Sequence, residues 1–291
     1  MSSAYWELAI SAPEAVEEAL TNFLWELGAL GVVGEEAPGR ELRLRAFFPP
    51  GAGAGIGTRL ANYLAGLRAL GLPAPQDSTL SRVADVDWSQ AWRAHFRPLS
   101  VGRRLLIAPP WDACAAGERI PIVIDPGRAF GTGHHASTQG CLESLEDIME
   151  RASPRTAIDL GTGSGILAIA AVRLGVLTVL AVDDDPDALA CAAANARRNG
   201  VTERVRPLQS DAGSLTSAAA GLVLANLLAP AHLRLGPHYA RYVAPAGALV
   251  LGGILDPEAP AVSATITAHG FVPVTVRSVD GWSTLVLRRV A

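Results

Sequence analysis

The chain has 291 residues, 49% of them apolar, and a formal net charge of −4. That length accommodates two domains with a sizeable core, and the composition excludes a disordered polymer. The acidic balance argues against a general nucleic-acid binder, which carries a basic face, and suits an enzyme acting on a small molecule or on a basic protein.

MSSAYWELAI lacks a basic segment ahead of a long apolar run, so no leader is expected. No stretch approaches ~18 uncharged apolar residues, so no membrane span is expected and a cytoplasmic protein is. YWELAIS alternates like a strand. Residues 13–29 open on Pro13 and place Val16, Leu20, Phe23, Leu24 and Leu27 at helical spacing, with Gly28 and Gly31 closing the helix. GVVGEE and ELRLRAFF follow as strands, GAGAGIG (51–57) as a flexible connector, TRLANYLAGLRALG as a second amphipathic helix and STLSRVADV as a last strand. The order strand, helix, strand, strand, helix, strand predicts a small ferredoxin-like α+β domain over residues 1–86. Residues 87–97 are expected to form a connecting helix, with Trp88, Trp92 and Phe96 on one face.

The third part, residues 98–291, changes pattern. LLIAPP and PIVID are strand-like. After residue 155, strands TAIDL, VLAVD, VRPLQS, GLVLANL and ALVLGGI alternate with helices from 164, over 187–199, over 230–243 and over 257–269. Such alternation predicts an α/β doubly wound, mainly parallel sheet. FVPVTVRSVDGWSTLVLRR closes the chain with a hairpin turn at Asp280-Gly281, an antiparallel terminal pair.

Between TAIDL and the next helix stand Gly161, Gly163 and Gly165. Glycine removes the Cβ that keeps a ligand off the backbone, and a strand-to-helix turn gathers unpaired N–H groups. The dinucleotide fingerprint G-x-G-x-x-G is not met, because Ile166 holds its third position. Asp159 precedes the turn, and Asp183 ends the next strand 22 residues after Gly161. A carboxylate there can accept from both ribose hydroxyls. The set suits a nucleoside without a pyrophosphate, such as S-adenosyl-L-methionine. Asp184 and Asp185 are expected to be solvated loop charge, while Asp211 is a candidate either for the adenine amine or for a surface turn.

Five blocks, DPGRAFGTGHHAST (125–138), AIDLGTGSGILAIAA (157–171), AVDDDPDAL (181–189), VLANLLA (223–229) and LGGIL (251–255), together resemble the ribosomal protein L11 methyltransferases over nearly the whole chain. The resemblance implies a class I methyltransferase-like fold over 98–291, with residues 1–86 as a substrate-recognition domain. It implies methyl transfer from S-adenosyl-L-methionine to the N-terminal α-amine and lysine ε-amines of a large-subunit ribosomal protein. Cofactor contacts then fall on Thr138, Gly161, Gly163, Asp183 and Asn226, and Asn226, at a strand's carboxyl end, faces the amine as the catalytic residue. Phe130 and Gly131, in the FGTG segment, are expected to fold over the cofactor. The family's Thr-His-Pro-Thr-Thr after FGTG is here His134-His135-Ala136-Ser137-Thr138; His135 and Thr138 match and the proline is absent. His135 is expected to cap a helix. Cys114, Cys141 and Cys191 and the remaining histidines show no ligand spacing, so no metal is expected. A monomer is expected. An RNA methyltransferase and a nicotinamide-dependent oxidoreductase are the alternatives: the first requires a basic stripe and the second a different glycine spacing.

Overall fold

The structure, a computed structural model, describes residues 4–13, 16–37, 41–69, 71–75, 77–84, 97–112, 117–125 and 133–290. The chain divides into two compact units, Met1–Phe96 and Arg97–Ala291, each with hydrophobic core of its own.

The first unit runs β1 (Ala4–Ala12), α1 (Glu17–Glu26), β2 (Gly31–Ala37), β3 (Glu41–Phe48), α2 (Gly53–Ala69) and β4 (Ser78–Ala84). Its sheet has the order β2-β3-β1-β4, with every neighbouring pair antiparallel. Strand β3 therefore separates β1 from β2, the split βαβ arrangement of a ferredoxin-like module. Leu8 and Ile10 of β1, Leu20 and Leu24 of α1, and Ile56 and Leu60 of α2 meet in one core. One expectation is corrected. The glycine run 51–57 is not all connector, since α2 begins at Gly53. A Cβ there would lie 2.2 Å from Cε2 of Trp6, whose indole N–H donates to the Pro50 carbonyl at 3.3 Å. The glycine serves close packing of an indole, not slack in the chain. The expected connecting helix with Trp88, Trp92 and Phe96 lies outside the described residues.

The second unit opens with a three-stranded sheet, β5 (Leu99–Val101), β6 (Leu105–Ala108) and β7 (Ile120–Val123). Helix α3 (Ala136–Arg151) follows, then β8 (Thr156–Leu160), α4 (Ile166–Leu174), β9 (Thr178–Asp183), α5 (Pro186–Arg198), β10 (Val205–Gln209) and β11 (Ala220–Asn226). The chain continues through α6 (Ala229–Tyr242), β12 (Val243–Leu255), α7 (Ala259–Thr267), β13 (Phe271–Val279) and β14 (Trp282–Arg289). The large sheet has the order β10-β9-β8-β11-β12-β14-β13. Its first five strands are parallel, and β14 and β13 run antiparallel to their neighbours. The doubly wound sheet with a reversed terminal pair is thus present. Asp280 and Gly281 both take positive φ, 47° and 81°, as a two-residue hairpin of this twist requires.

Helices cover both faces, so a central strand must be apolar throughout. Leu222, Val223, Leu224 and Ala225 of β11 are all buried. Leu222 and Leu224 join the core under α3 and α4; Val223 and Ala225 join the core under α6 and α7. The outer strand β13 exposes Val272, Val274 and Val276, and its pairing with β14 shifts between Pro273 and Thr275.

The helix that His135 was expected to cap is α3, and it fixes one wall of the site. Its buried Glu146 accepts the backbone N–H groups of Arg103 and Arg104, both at 2.8 Å. Its Glu143 and Asp147 pair with Arg277 of β13, each at 2.9 Å. The helix is thereby tied to the small sheet at one side and to the terminal hairpin at the other. Asn199, the C-cap of α5, accepts from the Val123 N–H at 2.8 Å and donates to the Val123 carbonyl at 2.7 Å, so a side chain stands in for a neighbouring strand at the edge of β7. No described helix is long and apolar enough to cross a membrane.

Candidate active site

The carboxyl ends of β8, β9, β11 and β12 converge, the place where open α/β sheets bind ligands. Gly161, Gly163 and Gly165 have φ of 67°, 53° and 82°, a left-handed succession that side chains resist. The turn is braced from within. The Thr162 N–H donates to the Val182 carbonyl at 2.9 Å, and the Thr162 hydroxyl to Asp159 Oδ2 at 2.7 Å. Asp159 Oδ2 also accepts from the Ala168 N–H at 3.2 Å, in the first turn of α4. Asp159 Oδ1 is buried without a partner among the described residues. Burial, reinforced weakly by Asp183, pushes this carboxyl up to about 6 against the bonds from Thr162 and Ala168.

Asp183 lies beside the turn. Its Oδ2 accepts the Gly163 N–H at 2.9 Å and its Oδ1 the Asp185 N–H at 3.1 Å. A carboxylate offers about four acceptor positions, so lone pairs are left for a diol. Asp185 is not simply solvated charge: it caps α5, accepting the Asp187 N–H at 2.8 Å. Asp211 is exposed, and its Oδ1 takes the N–H groups of Gly213 and Ser214, which makes it the organiser of a surface turn.

Asn226 ends β11. Its Nδ2 donates to the hydroxyl of the fully buried Thr138 at 3.2 Å, and its Oδ1 is buried with no partner among the described residues. That oxygen rests over the glycine pair of β12: a Cβ at Gly252 would stand 3.0 Å from it, and one at Gly253 3.1 Å. Gly253 itself has φ of 75°. The next residue, Leu227, lies over the glycine turn, with Cδ2 2.4 Å from where a Cβ on Gly161 would be. The structure therefore brings Thr138, Asn226, Gly161, Gly163 and Asp183 into one site. Phe130 and Gly131 lie outside the described residues. His135 is the N-cap of α3: its Nδ1 accepts the Ser137 N–H at 3.3 Å, and its ring meets Trp282 edge-on. Burial lowers its pKa. Among the described residues no group of three or more His, Cys, Asp or Glu side chains is placed to hold a metal.

Three participants carried no role in the sequence reading. Gly252 and Gly253 were visible only as a motif; their purpose, room for an amide oxygen, is a tertiary fact. His232, on α6, is fully buried, with Nε2 2.8 Å from the Gly252 carbonyl and Nδ1 2.8 Å from the Tyr239 hydroxyl. Its signal was its spacing of seven residues from Tyr239 on one helix face.

The family model described as ribosomal protein L11 methyltransferase (PrmA) matches residues 4–290. The chain belongs to the ribosomal protein L11 methyltransferase family. A member from Syntrophotalea carbinolica is 35% identical over 307 residues, covering 98% of each chain. One from Symbiobacterium thermophilum is 41% identical over 225 residues, covering 77% of this chain and 73% of its own. Among solved structures, the ribosomal protein L11 methylase of Lactobacillus delbrueckii subsp. bulgaricus aligns with a TM-score of 0.63 at 29% identity. That alignment covers 67% of this chain and 100% of that one. The family resemblance read from the five sequence blocks is thus established along the whole chain, and with it the class I methyltransferase fold.

Proposed function

We propose that this L11 methyltransferase family member acts in the cytoplasm as a monomer, and that it transfers methyl groups from S-adenosyl-L-methionine to the N-terminal α-amine and lysine ε-amines of ribosomal protein L11. The observation that carries the reading is the buried Oδ1 of Asn226, without a partner among the described residues and held over the Gly252–Gly253 backbone while Nδ2 is fixed by Thr138. An amide oxygen in that position accepts a hydrogen bond from a neutral amine and aims its lone pair.

The chain's residues fit the cofactor. Asp183 offers acceptors to the ribose hydroxyls beside the left-handed glycine turn, over which Leu227 packs at Gly161, and Asp159 Oδ1, without a partner among the described residues, is a buried acceptor near it. When bound, the cofactor supplies a sulfonium methyl: the amine lone pair forms the new N–C bond as the C–S bond breaks, and the amine proton leaves to water. What the protein adds is alignment and a neutral nucleophile. Alignment contributes several kcal/mol through effective molarity. A lysine of pKa ~10.4 is only ~0.1% neutral at pH 7.5, a cost of about 4 kcal/mol, whereas an α-amine near pKa 8 costs below about 1 kcal/mol. Desolvation in the site lowers both costs.

Residues 1–86 are the module we assign to substrate recognition, and they carry a hydrophobic core of their own. The test is mass spectrometry of isolated L11 after incubation with enzyme and cofactor. Mass increments of 14 Da per methyl are expected, lost in Asn226→Ala; an unchanged L11 mass with the intact enzyme removes the assignment. A chain lacking 1–86 is expected to bind the cofactor and leave L11 unmodified, and normal methylation by it would refute the recognition role.

A further inference from the structure

The glycine pair that makes room for Asn226 also introduces a problem. Glycine is the most pliable of backbones, yet a catalytic amide must be held to within about half an ångström. Residues 252 and 253, with Gly253 at φ of 75°, are the surface on which Oδ1 rests, and something must remove their slack.

The Gly252 carbonyl receives two donors. One is the N–H of Leu227, the residue after Asn226, at 3.1 Å. That bond alone satisfies the carbonyl. The second is Nε2 of His232 at 2.8 Å. A carbonyl only accepts, so Nε2 carries the proton, Nδ1 is the acceptor, and the Tyr239 hydroxyl donates to it at 2.8 Å. His232 and Tyr239 are both fully enclosed on α6, and burial holds the imidazole down to about 4, neutral throughout the working range. A leucine here would fill the core but strip the buried Tyr239 hydroxyl of the acceptor that Nδ1 provides, so the imidazole carries two polar bonds that packing alone does not supply.

We propose that His232 is a positioning residue for methyl transfer: through its bond to the Gly252 carbonyl it locks the 252–253 peptide and thereby the Asn226 amide that receives the amine. This rests on the assignment of Asn226 given above. Two polar substitutions separate the role from mere core filling. His232→Gln places an amide N–H where Nε2 stands and keeps the donor. His232→Asn keeps an acceptor for Tyr239 but does not reach Gly252.

The experiment measures kcat, cofactor Kd by titration calorimetry and the pH profile for the two variants, for Asn226→Ala and for the double variant, with circular dichroism confirming the fold. His232→Asn is expected to lower kcat about tenfold or more, since small misplacements are costly in rate, with cofactor Kd changed less than about threefold because the ribose acceptor and glycine turn lie on β8 and β9. His232→Gln is expected to restore most of the rate. In the Asn226→Ala background, His232→Asn is expected to add no further loss, because both act on one interaction. The acid limb of the pH profile belongs to the substrate amine and is expected to stay in place in every variant. A wild-type kcat in His232→Asn, losses that multiply in the double variant, or an acid limb that moves with residue 232 would each overturn the proposal. If Asn226→Ala itself is fully active, the Asn226 assignment falls first; if it is impaired while His232→Asn is not, only the positioning role falls.

Discussion

Replacing Asp159 by asparagine removes a charge that the fold holds at a cost, and the size of that cost can be worked out. The carboxyl is raised from 3.8 to about 6, chiefly by burial. At about 1.36 kcal/mol per pH unit, ionising it is roughly 3 kcal/mol less favourable in the folded chain than in the unfolded one. A raised folded pKa means the folded state keeps its proton longer. The stabilisation is therefore complete below about pH 3.8 and is lost as the pH rises through about 6. His232 works against it in the same window: with its pKa lowered to about 4, it withdraws stability as the pH falls from ~6.5. The wild-type curve alone is thus nearly uninformative, and the difference between wild type and Asp159→Asn isolates the one group. In the variant the amide oxygen keeps the bonds from Thr162 and Ala168, while an NH₂ takes the unpartnered Oδ1 position at about 1–3 kcal/mol, independent of pH. Relative to wild type, the variant should therefore gain roughly 1.5 kcal/mol between pH 5 and pH 7.5, about half the total. Urea unfolding of the intact chain, fitted at the transition of the larger unit across that range, measures the gain. A carboxyl infrared band present in wild type at pH 5 and missing in the variant reports the proton directly. Parallel stability curves would refute the reasoning, since they would mean that Asp159 is ionised throughout.

Three further outcomes can be checked. Asp183→Ala removes the acceptors for the ribose and the bond to Gly163; at about 1.5–3 kcal/mol per charge-assisted bond, calorimetry should show cofactor affinity reduced at least about tenfold. Gly253→Ala forces a left-handed alanine whose Cβ lies 2.4 Å from the Leu227 carbonyl oxygen; the collision is with backbone, so the melting temperature should fall by about 5 °C or more. His135→Ala deletes the cap of α3 and should cost about 1 kcal/mol, read as a thermal shift of about 2–4 °C.

The parts of the site that stood out in the sequence are those where backbone chemistry leaves a local mark. The three glycines, Asp183 at a strand end and Asn226 before a helix are each explained by their immediate neighbours, and the structure joins them. What escaped was tertiary. Gly53 sits in a run that looks flexible, and only the indole of Trp6 shows why it lacks a side chain. Helix α3 opens at the His135 cap expected from the sequence, but its run to Arg151, with Cys141, Leu142 and Leu145 inward, and its tie through Glu146 to the small sheet are tertiary facts. His232 looked like one of several scattered histidines; its meaning depends on a carbonyl twenty residues away, on strand β12.

The outermost strand of the large sheet has a consequence for how copies of this protein behave at high concentration. β13 exposes Val272, Val274 and Val276, the kind of margin on which a stray chain can zip up and seed aggregation. Pro273 has no N–H to offer such a chain, and the shifted pairing before Thr275 breaks the repeat it would follow. A proline and a slipped register thus make a greasy margin a poor template, and the sheet ends where its sequence stops cooperating.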